Sequence, residues 1–211
     1  MLGFQDYNEL NNIVGLTRSE DYQEYFSDMD LSDDDKEKRI ELAQEMENNF
    51  LFVLALIFTM QQYQSVDWTV VQNQFENAYR NSLSGAIDVD EEINSYINQF
   101  SYDATESTKN HEEDPYYYSM DRARLMSENE SNTSWNYSEY QQAIASGKTM
   151  KRWVDVRDRR ERETHRIVGG TSKPIREPFV VGGSFMKYPK DQTFSPPASE
   201  TVNCRCTIKY Y

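Results

Sequence analysis

Cysteine is almost absent from this 211-residue chain: Cys204 and Cys206 are the only two, one residue apart. Thiols at that spacing cannot bridge each other without strain. A disulfide framework is therefore excluded, and a reducing compartment is expected. Histidine is as scarce, with His111 in an acidic, loop-like stretch that predicts solvent exposure and His165 in the C-terminal part. Glycine and proline number eight and six, and every proline except Pro115 follows Gly147. Little interrupts a helix before that glycine, and much does after it. Long apolar runs are missing as well. The strongest, Phe50 to Met60, falls short of the roughly 20 residues a bilayer requires, which predicts a buried helix segment and no membrane span. MLGFQDYNEL has no basic stretch followed by an apolar one, so no signal peptide is expected.

What is present is charge, unevenly placed. The chain is 37% hydrophobic and 27% charged, but 13% is aromatic, including fifteen tyrosines. That suffices for the core of one ordinary domain or two small ones. From residue 147 onward fourteen Lys and Arg face seven Asp and Glu, a balance of +7 in a chain whose net charge is −14, so the preceding part carries −21. An acidic front and a basic back predict two modules with different surroundings.

The pattern along the chain predicts an α+β protein: an acidic, mostly helical N-terminal region, then a small basic α+β module with short strands and long loops. Residues 1–31 read as an acidic lead segment dotted with aromatics. A long helix follows to about Gln64, with Ser32 as N-cap and Asp35 in the capping-box position. A second is expected from about Asp67 to Leu83, and a third from about Asp90 through the Thr105 region, each carrying an apolar stripe. Pro115 breaks the pattern, which puts a boundary between residues 1–115 and 116–211. Two more helices are expected over Ser119–Glu130 and Tyr137–Ser146, leaving the α+β module to 148–211. There FVV, SFMKY and CTIKYY are strand candidates, and the two VGG runs are turn signals. A module this small often needs a staple beyond its core.

The densest stretch is KRWVDVRDRRERETHRIVGG. On a helix Asp158, Arg162 and His165 would share a face, whereas on an extended segment Asp158, Arg160 and Arg162 would. Lys151 and Trp153 precede an Asp-x-Arg-x-Arg-x-x-His element made by Asp158, Arg160, Arg162 and His165. Gly169, Phe179, Gly182, Gly183, then Pro189 with Asp191 follow, and the pattern closes on Asn203, Cys204, Arg205 and Cys206. In this order, over roughly residues 122–211, the chain resembles the phage Mu F-like minor head proteins, the head morphogenesis family. Asn129 stands where a Thr is usual, and Glu163 and Thr164 replace a common Pro-Ser.

The resemblance implies a virion protein: a minor capsid component at the portal side of a tailed-phage head, present in host cytoplasm during assembly. It implies a role in head assembly and in genome packaging or ejection, with the portal and other head proteins as partners. No catalytic role is expected. The alternative is a head-carried enzyme, such as a nuclease, using His165 and the nearby arginines. The basic residues Arg157, Arg159, Arg160, Arg166, Lys173, Lys187 and Lys190 are candidates for nonspecific contact with packaged DNA.

For the cysteines three readings stand side by side. Cys204, Cys206 and His165 supply three of the four N or S ligands that zinc takes, with Asp158 or Asp191 as the fourth. Such a site would staple the His165 segment to the last strand. Alternatively one cysteine is core, Asn203 fixes a turn, and Asp158 braces Arg160 or Arg162. The third reading is a Cys-His nucleophile pair.

Overall fold

The computed structural model describes residues 19–63 and 65–211. In order, the elements are α1 (Ser19–Ser27), α2 (Asp33–Gln62), α3 (Trp68–Leu83), α4 (Glu91–Lys109), a 3-10 turn (Pro115–Tyr118), α5 (Met120–Ala145), β1 (Met150–Val154), α6 (Glu163–Val168), β2 (Ser172–Pro174), β3 (Phe179–Val181), β4 (Ser184–Met186), α7 (Ala198–Thr201) and β5 (Thr207–Tyr210). The α+β class is as expected, with helix predominating. Contacts divide the chain into two units, one containing Glu41–Ser127 and the other Tyr22–Ile40 with Glu128–Tyr211. The break expected near residue 115 therefore lies inside the first unit. Pro115 opens the single 3-10 turn that lies between α4 and α5, which Asp114 caps by accepting from the Tyr116 amide. Of the lead segment, residues 1–18 lie outside the described residues, Ser19–Ser27 is helical, and Tyr22, Phe26 and Met29 are buried in the second unit.

Helix starts follow the side chains that cap them. Ser32 Oγ accepts from the Asp35 amide at 3.1 Å and donates to the Asp35 carboxylate at 2.6 Å. Asp67 and Asp90 accept from the first-turn amides of α3 and α4. In the first unit the stripes of α3 and α4 meet residues of α2 in one aromatic cluster. Phe50, Phe75, Tyr79 and Phe100 lie with ring centroids 5.1 to 6.4 Å apart, mostly edge to face. Of the apolar run, Phe50, Leu51, Val53, Leu54 and Ile57 are buried, while Phe52 and Phe58 are exposed. Among the described residues no helix is long and apolar enough to cross a membrane. His111 is exposed, as expected, and stacks on Tyr117 at 4.3 Å.

Two of the expected helices are one. α5 runs unbroken through SENESNTSWN, a stretch without an apolar stripe. Its part in the second unit buries polar side chains instead, and they bond main chain. Ser131 donates to the Arg39 carbonyl, Asn132 to the Cys204 carbonyl and Asn136 to the Pro189 carbonyl. A helix face satisfied this way needs no greasy residues to be buried.

The second unit also holds both sheets. Three antiparallel strands run in the order β2-β1-β5, and β3 and β4 form a hairpin. The hairpin turns on Gly182 and Gly183, both at positive φ, as a two-residue connection requires. FVV is β3, but SFMKY shortens to β4 and CTIKYY to β5. Strands β1 and β2 escape the sequence pattern, because β1 carries Lys151 and Arg152 among its five residues. Lys151 is nevertheless buried. Its amine reaches the Lys187 carbonyl and lies 5.3 and 5.2 Å from the ring centroids of Tyr140 and Phe179.

Candidate functional site

The segment Asp155–Arg162 is neither helix nor strand, so both expected geometries for it fail; His165 lies just beyond, on the one-and-a-half-turn α6. Helix α6 carries its imidazole against the segment that enters β5. Nδ1 of His165 is 3.4 Å from Cys204 Sγ and 3.4 Å from Cys206 Sγ. All three residues are buried, at 2%, 2% and 3% exposure. Their three ligand atoms lie within 4.8 Å of one another, so the cluster has the spacing to hold a metal ion. Around a tetrahedral zinc, with Zn–S about 2.3 Å and Zn–N about 2.0 to 2.1 Å, adjacent N and S ligands stand about 3.5 Å apart. The separations here match that.

The rest of the pocket fixes the ring. On the far side Nε2 is 3.2 Å from Glu200 Oε2, and Glu200 also accepts from the Thr164 hydroxyl at 2.8 Å. Trp153, fully buried, sets its ring edge to face with His165 at 5.9 Å and with Phe179 at 5.3 Å. The Cys204 carbonyl accepts from both Asn132 and Tyr25.

The sulfurs divide their roles. Cys204 is pushed well below an ordinary thiol because Cys206 donates to it. Burial opposes the shift, and His165 reinforces it. Cys206 is pushed far up for the same reason from the donor's side, with burial adding. His165 is disfavoured as a cation by burial, yet the adjacent Cys204 sulfur raises it above the usual value. The Cys206 donor thus favours the thiolate form of Cys204, the form in which a cysteine binds a metal.

Asp158 does not join the cluster. Its carboxylate is taken by Arg205, by the Arg160 amide at 2.8 Å and more loosely by the Arg160 guanidinium. Asp191 is equally occupied, accepting from the Lys187 and Thr193 amides and the Thr193 hydroxyl. The acid that approaches His165 is Glu200, which the motif reading passes over. Among the described residues no fourth His, Cys, Asp or Glu completes the set.

The other motif residues brace the same region. Arg205, 7% exposed, bridges Asp158 and Asp28. Arg162 caps the carbonyl of Val202. Asn203 sits at φ +57 and donates its amide to Asn129. The expected DNA contacts separate. Lys190 is no DNA contact: it is buried, with its amine 2.6 Å from Asn129 Oδ1, because burial beside α5 outweighs its charge. Lys187 is half-buried and bonds Thr193. Arg157 pairs with Asp155, Arg160 with Asp28 and Asp158, and Arg166 with Glu161 and Glu163. Arg159 is exposed and Lys173 half-buried.

A profile of the phage Mu protein F like proteins matches residues 88–209, more than half of the chain and all of the motif from Lys151 to Cys206. The chain belongs to that family. As a phage Mu protein F like protein it is a phage head morphogenesis protein, associated with the phage and with other head proteins as partners. No curated protein and no solved structure matches it.

Proposed function

We propose that this phage Mu protein F like protein is a minor component at the portal side of a tailed-phage head. It aids head assembly and genome packaging or ejection as a structural part rather than as an enzyme, first in host cytoplasm and then in the virion. One observation supports the structural role above the others: the family's charged motif residues are spent internally. Arg205 holds Asp158 and Asp28, Arg162 holds the Val202 carbonyl, and His165 is buried between two thiols and a carboxylate. A nuclease site would instead turn such groups toward a phosphate. The exposed Phe52, Phe58 and Tyr63 give the acidic unit apolar surface on which another head protein can sit. The exposed Arg157, Arg159 and Arg166 suit sequence-blind contact with packaged DNA, which weakens steeply as salt rises.

Quantitative mass spectrometry of purified particles against empty heads tests this. A few copies per head in the fraction that holds the portal is the expected result. Absence from particles, with the chain abundant in infected cells, sinks the reading and sends His165→Ala to a nuclease assay.

The proposed cofactor is zinc, held by His165, Cys204 and Cys206 as the staple of a small unit, with its fourth position left to water or another small ligand. Purified protein should carry about one zinc per chain, and a chelator should lower its melting temperature. A metal-free preparation with an unchanged melting temperature excludes the staple.

A further inference from the structure

An imidazole can offer either nitrogen to a metal, and something must choose. Resting on the zinc reading above, we infer that Glu200 is the positioning residue of this site: it draws the ring proton to Nε2, leaving the Nδ1 lone pair facing the two sulfurs. Nε2 meets Glu200 Oε2 at 3.2 Å while Nδ1 is 3.4 Å from each thiol. A carboxylate on the outer ring nitrogen is how a metal-bound histidine is oriented and made a better donor. Glu200 cannot itself bind the same ion, because it sits across the ring from the sulfurs.

The carboxylate is built in rather than incidental. Thr164, the neighbour of His165 on α6, donates to the same Oε2 at 2.8 Å. Gly182 lies on the other side: a Cβ there would come 2.3 Å from Glu200 Oε1, so any larger residue at that turn would push the carboxylate aside. Helix α7 places Glu200 four residues before Cys204, so the support and a ligand arrive on one short segment. Trp153 packs edge to face with the ring at 5.9 Å.

The test uses the full chain and zinc or cobalt(II) alone. Zinc affinity is measured by chelator competition for wild type, Glu200→Gln, Glu200→Ala and Thr164→Val, with the fold of each checked by circular dichroism. The His165 ring nitrogens are read by NMR in the zinc-loaded protein. The ring proton should sit on Nε2. Glu200→Ala should bind zinc about 10- to 100-fold more weakly, the usual cost of losing such an outer partner. Its cobalt absorption should also change. Glu200→Gln, which keeps an acceptor oxygen, should keep the tautomer and fall between, and it carries the test if the alanine variant does not fold. Equal affinity in wild type and Glu200→Ala, or a proton on Nδ1, overturns the role of Glu200 and leaves the zinc reading standing. Wild type that takes up neither metal overturns the zinc reading itself.

Discussion

Replacing Asn129 by Leu should unfasten the second unit without opening a cavity, since the two side chains are close in size. Asn129 lies buried on α5, and its Oδ1 accepts from the Asn203 amide at 2.7 Å and from the Lys190 amine at 2.6 Å. Its Nδ2 donates to Asn203 Oδ1 at 3.3 Å. Both partners lie at positive φ, Asn203 at +57 and Lys190 at +67; asparagine visits that region readily, whereas for Lys190 it costs roughly 1–2 kcal/mol, which its bond to Asn129 helps offset. A hydrogen bond to a charged amine is worth about 1.5–3 kcal/mol and one to an amide about 0.5–1.5, so Asn129→Leu should lose about 3 kcal/mol. Asn129→Asp keeps both acceptor bonds and should lose under about 1 kcal/mol. Urea unfolding gives the size of the loss. Hydrogen exchange read by mass spectrometry gives its place: peptides spanning 187–206 should lose protection, and those around Phe75 should not. A leucine variant within about 0.5 kcal/mol of wild type, the range of an ordinary surface change, would refute the reasoning.

Phe50→Ala removes the ring at the centre of the four-ring cluster and should cost about 3–5 kcal/mol, seen as lost exchange protection in α3 and α4; protection left intact there contradicts the packing account. Asp158 is held below the ordinary carboxylate value, since its bonds to Arg205 and the Arg160 amide outweigh the opposing effect of burial. Its stabilisation is full above the unfolded value near 3.8 and is lost as pH falls through the folded one. Asp158→Asn should therefore melt lower than wild type at pH 7, and the two curves should converge in acid; a constant gap counts against the ion pair. Burial pushes the Lys151 amine down to about 8, against the opposing pull of Asp191. The folded chain then gives up this proton before the unfolded one does. This site adds stability as pH rises from about 8 toward the unfolded value. Lys151→Met should lack that slope in urea midpoints taken from pH 7.5 to 9.5, and parallel curves would disprove it.

The cluster was legible because its residues are rare: two cysteines and one of two histidines leave few ways to build a site, and the ordered motif points to these three. Its carboxylates were not. Asp158 looks like a ligand by spacing, but charge pairing with Arg205 claims it, and sequence separation hides that pairing. Glu200 is one acid among 36 and acquires its role only through the turn of α7 and the missing Cβ of Gly182. The helices of the first unit announce themselves by caps and apolar periodicity. Helix α5 does not, since periodicity counts greasy residues and this face is buried by hydrogen bonds. β1 is obscured by Lys151, whose burial depends on one carbonyl and two rings distant in sequence.

The bonds from Asn132 and Asn136 to carbonyls carry an implication for how this protein can change over generations. A carbonyl is offered by every residue type, so the helix recognises the path of the facing segments and is indifferent to the side chains there. Drift at positions such as Pro189 is buffered so long as the chain keeps its course. Drift at the asparagines is not, because few other side chains reach out with an amide donor.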